Sequence, residues 1–170
     1  MKSQALADAF NQQLTRETSS AYLYQQMTVW CSEQGLAGFA HWVKMQVLEE
    51  RLHADKFFDY LLDRDVAVHL EAIQAPEKSW SSVSDLFASI LEHERMITDA
   101  IHSLMELAGK EGDHAAKTFL QWFITEQVEE EANVRDIRDK LKLADGFGPA
   151  LLMLDADMAT RPVPTPPPAG

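Results

Sequence analysis

The sequence predicts an all-α chain: a four-helix bundle with one long crossover, followed by a short fifth helix. Three observations carry that expectation. Glycine is scarce, while Ala, Leu, Glu, Gln and Met, all good helix formers, are plentiful. Four long segments repeat apolar residues at alternating steps of three and four. Their connections run short, long, short, as in two helical hairpins joined by a crossover.

The first helix is expected from Ser3 to Gln34, stopping at Gly35, with a stripe of Phe10, Leu14, Glu17, Ala21, Tyr24, Thr28 and Cys31. The second runs from Leu36 to Arg64, with Phe39, Val43, Gln46, Glu50, His53, Phe57 and Tyr60 on one face. A poorly periodic link, Asp65 to Ser82, contains Pro76. Roughly 18 residues reach up to ~60 Å, and a helix of roughly 28 residues is ~42 Å long. The link can therefore run the length of the bundle and make helices two and three parallel.

The third helix is expected to start near Ser84 or Asp85, both plausible N-caps, and to end near Gly109–Gly112. Its stripe is Phe87, Ile90, Glu94, Ile97, Ile101, Leu104 and Ala108. The fourth runs from Asp113 to Ala144 through Leu120, Phe123, Gln127, Glu130, Val134, Ile137 and Leu141. A short amphipathic segment, Phe147 to Ala159, carries Phe147, Leu151, Leu154 and Met158 on one stripe. Residues 1–160 read as one domain. The stretch 161–170, RPVPTPPPAG, reads as an extended or disordered tail.

Net charge is −12. That argues against nucleic acid as a partner, because phosphate binding rests on Lys and Arg. The single cysteine, Cys31, cannot close an internal disulfide, and no CxxC is present. There is no signal-like apolar run at the start and no segment apolar enough to span a membrane. The expectation is a cytoplasmic protein with no membrane partner.

Each stripe is apolar except near its middle, where it carries a carboxylate. Those carboxylates are level. Glu17 lies 18 residues before Gly35 and His53 lies 18 after it; Glu94 lies 18 before Gly112 and Glu130 lies 18 after it. At ~1.5 Å per residue they share one height in the bundle. The two halves are related by a constant offset of 77 residues: Glu17 to Glu94, Glu49 to Glu126, Glu50 to Gln127, His53 to Glu130.

A carboxylate in an apolar interior costs several kcal/mol even after relaxation, and several together repel one another. Bound cations offset both effects. An oxygen-rich set with one imidazole and no thiolate disfavours structural zinc. Imidazole disfavours calcium and magnesium. Iron or manganese fits, bridged in pairs by shared carboxylates. Di-iron bundles as a class use one Glu from each of two helices and Glu-x-x-His from the others. The alternatives are a di-iron oxidase acting on a small substrate and a structural bundle without metal. The first should carry a second Glu-x-x-His, and the second should show polar positions at unrelated heights.

The stretches LYQQMTVWCSEQG, VLEERLHADKFFDYL, EHE at Glu92–Glu94 and FLQWFITEQVEEE resemble the ferritins, most closely the non-haem bacterial ferritins, as far as Met158. The fold this implies is the ferritin-like four-helix bundle. By that resemblance Glu17, Glu50 and His53 hold the first iron of a ferroxidase centre, with Glu50 bridging. Glu94 and Glu130 hold the second, with the Gln127 amide beside it. Glu49, Glu126 and Glu129 form a third iron site, with Glu130 between the two. Tyr24 stands next to the pair, to hydrogen-bond a ligand or supply an electron. The resemblance further implies storage of iron as a ferric oxide-hydroxide mineral. Fe²⁺ is oxidised with O2 or H2O2, inside a homo-oligomeric cage of 24 subunits whose fifth helix packs around the fourfold axes. Bacterioferritins keep a second Glu-x-x-His and bind haem through a methionine; Leu52 occupies that place here, so no haem is expected. His41, His69, His93, His102 and His114 read as surface or packing residues, Cys31 as core. Trp42 and Trp122 read as packing, with Trp122 a possible electron relay.

Overall fold

The computed structural model describes residues 1–166. Its elements are α1 Gln4–Glu33, α2 Ala37–Asp63, α3 Val83–Lys110, α4 His114–Leu143 and α5 Gly148–Met158, and no strand occurs among the described residues.

The two tight turns are built alike. After α1, Gly35 takes φ +74°, the Gly35 N–H donates to Ser32 O and the Leu36 N–H to Cys31 O. After α3, Gly112 takes φ +63°, its N–H donates to Gly109 O and that of Asp113 to Ala108 O. This left-handed closure satisfies the last helical carbonyls, and glycine adopts it without a Cβ clash. The next helix begins at once in each case, so each pair packs antiparallel.

The starts of α2 and α4 differ. Asp113 caps α4 itself, accepting from the Ala116 N–H at 3.1 Å. Leu36 offers α2 no side-chain cap. Asp155 of α5 serves instead, its Oδ1 accepting from the Phe39 N–H at 2.9 Å. The close approach of α5 falls on Gly38, where a Cβ would collide with the Asp155 carbonyl.

Two apolar clusters divide the core. One joins the end of α1, the starts of α2 and α3, the end of α4 and α5. The other joins the start of α1, the ends of α2 and α3 and the start of α4. Starts of α2 and α3 therefore share one end of the bundle, which makes those helices parallel. The link runs along α1. Near one end Asn11 donates to Ala67 O and accepts from the His69 N–H, and near the other Trp80 packs edge-on against Trp30.

Every position of the four stripes is buried except Thr28 and Tyr60, which are half-buried. One expectation needs correction. The third helix is capped by Ser82, whose hydroxyl accepts from the Asp85 N–H, while Asp85 reaches back to the Ser81 N–H and hydroxyl. Asp85 is thus the third residue of the helix, bonded to the cap through its N–H and to Ser81 through its carboxylate, rather than the cap itself. Phe147 directly precedes α5 and is exposed in the single chain, Leu151 is half-buried, and Leu154 and Met158 are buried. The tail begins with Arg161 held against α2, described below; 167–170 lie outside the described residues.

Candidate metal centre

Between the two apolar clusters lies a polar layer. Glu17, Gln46, Glu50, His53, Glu94, Gln127 and Glu130 are all buried, one or more from each long helix. Helical spacing puts them there. Glu50 and His53 are one turn apart on the inward face of α2, as are Gln127 and Glu130 on α4.

Two groups gather ligand atoms within 4.8 Å of one another: Glu17, Glu50 and His53, and His53, Glu126 and Glu130. Glu17 Oε1 accepts from Gln13 Nε2 at 2.8 Å, whereas Glu17 Oε2 and Glu50 Oε2 are buried without a hydrogen-bond partner. The His53 Nδ1 is 3.6 Å from Glu50 Oε2. Buried, unpartnered carboxylate oxygens facing an imidazole are what a cation would satisfy. Glu130 Oε2 accepts from Gln46 Nε2 at 2.7 Å. Glu94 stands outside both groups. Its Oε1 accepts from the Tyr24 hydroxyl and its Oε2 from Gln127 Nε2 at 3.3 Å.

The electrostatics are those of crowded buried acids. Burial, with Glu50 beside it, pushes the Glu17 carboxyl up to about 8. Burial, with Glu94 and Glu49 nearby, pushes Glu130 up to about 8 as well. Glu50 and Glu94 are driven well above the usual carboxylate range, again by burial first. Burial and the charge of Glu94 raise the Tyr24 hydroxyl too. Without a cation the layer therefore retains protons near neutrality, and an entering cation must displace them.

The expected outer trio is not among the groups within 4.8 Å. Glu126 is half-buried and sides with His53 and Glu130, Glu129 is exposed, and Glu49 pairs with Arg161. Trp122 packs edge-on against His53 with ring centroids 5.4 Å apart, while Trp42 lies under the Arg161 guanidinium. His69, His102 and His114 are exposed. His93 is partly buried, 2.7 Å from the Ser20 hydroxyl and edge-on to Tyr24, and burial lowers it to about 4. Sequence reasoning placed Gln46 on a stripe without a role and passed over Gln13 and Arg161. The four-residue step from Gln13 to Glu17, and the four-residue step from Gln46 to Glu50, were the available signals.

A ferritin-like domain model matches residues 7–144. The chain belongs to the ferritin family. It is 35% identical over 155 residues to a bacterial non-heme ferritin of Escherichia coli O6:H1, covering 91% of this chain and 94% of that one. A bacterial non-heme ferritin of Campylobacter jejuni is 37% identical, with coverage of 91% and 93%. Among solved structures, an open pore ferritin from the archaeon Archaeoglobus fulgidus superposes with a TM-score of 0.93 at 41% identity, covering 94% of this chain and 99% of that one. Among the described residues no helix is long and apolar enough to cross a membrane.

Proposed function

We propose that this ferritin chain stores iron, oxidising Fe²⁺ at a two-iron centre within each subunit and depositing a ferric oxide-hydroxide mineral inside a homo-oligomeric cage. The observation that carries the reading is the buried layer itself, with four inward carboxylates and one imidazole at one level, two of whose oxygens lack a partner. Glu17, Glu50 and His53 hold the first iron and Glu50 bridges. Glu94 and Glu130 hold the second, and Gln127 and Tyr24 orient Glu94. Glu49, Glu126 and Glu129 supply a third, weaker site beside Glu130.

The carboxylates favour Fe³⁺ over Fe²⁺ by charge. With O2 as acceptor, two Fe²⁺ each lose one electron and O2 takes both, leaving as H2O2 with two protons from water. Hydrolysis of the two Fe³⁺ to oxide-hydroxide completes a net release of four protons. The second half of the centre lacks the imidazole of the first, so its iron is held less tightly and passes on to the mineral. Leu143, Phe147, Leu152 and Met153 are exposed apolar residues around α5 that neighbouring subunits of a 24-subunit cage would cover.

The test is size-exclusion chromatography after aerobic addition of Fe²⁺ in large excess, following protein and iron together. Co-elution of most of the iron with a cage-sized particle is expected. About two irons retained on a monomer or dimer, with the rest precipitated, would overturn storage in favour of a fixed-cofactor protein.

A further inference from the structure

Beyond α5 the chain returns to α2, and Arg161 makes the contact. Its side chain is only 15% exposed. One guanidinium nitrogen, Nη1, donates to Gln46 Oε1 at 2.7 Å and to Trp42 O at 3.2 Å. The other, Nη2, donates to Glu49 Oε2. The guanidinium lies 4.1 Å over the Trp42 ring, and the Arg161 carbonyl meets His41 Nε2 at 2.9 Å. A forked, stacked guanidinium is a fixed one.

Gln46 makes this more than a tether. It is fully buried, and its amide has two ends. With Oε1 committed to Arg161, the NH2 end must face Glu130, where it donates at 2.7 Å. Turned over, the amide would aim an oxygen at a carboxylate. Arg161 thus sets the sense of the amide, and the amide occupies one oxygen of Glu130, leaving the other for a cation. The same guanidinium engages Glu49 through Oε2, so that carboxylate is already paired before any cation reaches the outer acids.

We infer that Arg161 is a positioning residue for the metal centre: through Gln46 it aims Glu130, and by pairing with Glu49 it keeps the outer site weak. This rests on the two-iron reading above and adds a control on it, exerted from the C-terminal segment.

Anaerobic titration of the assembled, full-length chain with Co²⁺, followed by its d–d absorption, tests it. Arg161→Ala is expected to weaken the ion held by Glu130 about tenfold, the lower range for loss of a group supporting a ligand. It is expected to tighten binding at Glu49 by about tenfold, as a charge-assisted bond there is released. Opposite signs are the signature, because general loosening would weaken both. Adding Glu49→Gln should abolish the gain and keep the loss. In a Gln46→Leu background, Arg161→Ala should cost the Glu130 ion nothing further, since both changes cut one chain of contacts. Arg161→Lys, charged but unforked, should hold Glu49 and release Gln46, and it replaces the alanine variant should that fail to assemble. Identical isotherms in wild type and variant, or equal weakening at both sites, overturn the role of Arg161 and leave the two-iron reading standing. A wild type that takes up no Co²⁺ in the layer overturns both.

Discussion

The two hairpins, α1–α2 and α3–α4, are one design offset by 77 residues, and they differ where it matters chemically. Their turns close on equivalent glycines, Gly35 and Gly112. The position after each glycine is Leu36 in the first hairpin and Asp113 in the second, so the second caps its own return helix while the first borrows Asp155 from α5. At the polar layer the first hairpin presents Glu50 and His53 where the second presents Gln127 and Glu130. The backbone repeat is kept for packing. The side chains have diverged: the first hairpin brings the His53 imidazole to the layer and takes a cap from α5, while the second caps its own return helix but has its Glu130 held by Gln46 of the first.

Removing the proposed bridging ligand of the first hairpin should have the largest effect. Glu50→Ala is expected to slow Fe²⁺ oxidation by more than ~100-fold, beyond the ~10–100-fold typical of losing a group that only supports a ligand. Stopped-flow absorbance on cages of unchanged size measures it, and wild-type rates would remove Glu50 from the chemistry.

The caps come next. Asp113 also accepts from Arg64 at 2.9 Å and from the Lys2 N–H, so Asp113→Ala should cost about 2 kcal/mol, the upper range for a helix cap. Asp155→Ala should cost about 1 kcal/mol and loosen α5 selectively. Denaturant unfolding and hydrogen exchange at α5 separate the two, and equal effects would erase the distinction between the turns.

Making the second hairpin like the first sharpens the comparison further. The double change Gln127→Glu with Glu130→His rebuilds Glu-x-x-His on α4. The second ion should then bind about tenfold more tightly, the scale of one added ligand interaction, and mineral growth should slow. Calorimetry with Co²⁺ and iron uptake over many turnovers would show whether both move together.

The smallest effect concerns pH. In the ion-free protein, Glu17 and Glu130 keep protons up to about 8. The unfolded chain gives those protons up near 4.5, so the folded state binds more of them and stability falls as pH rises from about 4.5 to about 8. Asp113 has the opposite sign. Arg64 and the Ala116 N–H hold it down to about 2 against the cost of burial, so its contribution is present above pH 4 and is lost as pH falls toward 2. The ion-free melting temperature should drop by about 3 °C or more between pH 5 and 8. Saturating Co²⁺ should erase the drop. Glu17→Gln and Glu130→Gln each remove one hairpin's share, and a flat profile in the unsubstituted protein would contradict the raised carboxyls.

The bundle was legible because a 3.5-residue period survives any detail of loop geometry, and because Gly35 and Gly112 mark turns that few other residues can make. The layer was legible for the same reason: equal distances from those glycines fix height. What the sequence concealed depends on contacts between distant segments. Ser82 read as the end of the link, because the bonds that tie Asp85 to Ser81 and Ser82 appear only once the helix start is formed. Phe147 continues the α5 stripe by spacing, and the single chain leaves it exposed. Arg161 opens a proline-rich tail whose composition says nothing of a partner more than a hundred residues earlier.

Gly38 has a bearing on how this chain can change over time. Since any side chain there would strike the Asp155 carbonyl, the site tolerates one residue type for as long as α5 stays docked. A related chain with alanine at that place is therefore expected to carry its last helix elsewhere, against another subunit or free. Gly38→Ala gives engineers a one-atom lever for unlatching the C-terminal segment without touching a single iron-facing side chain.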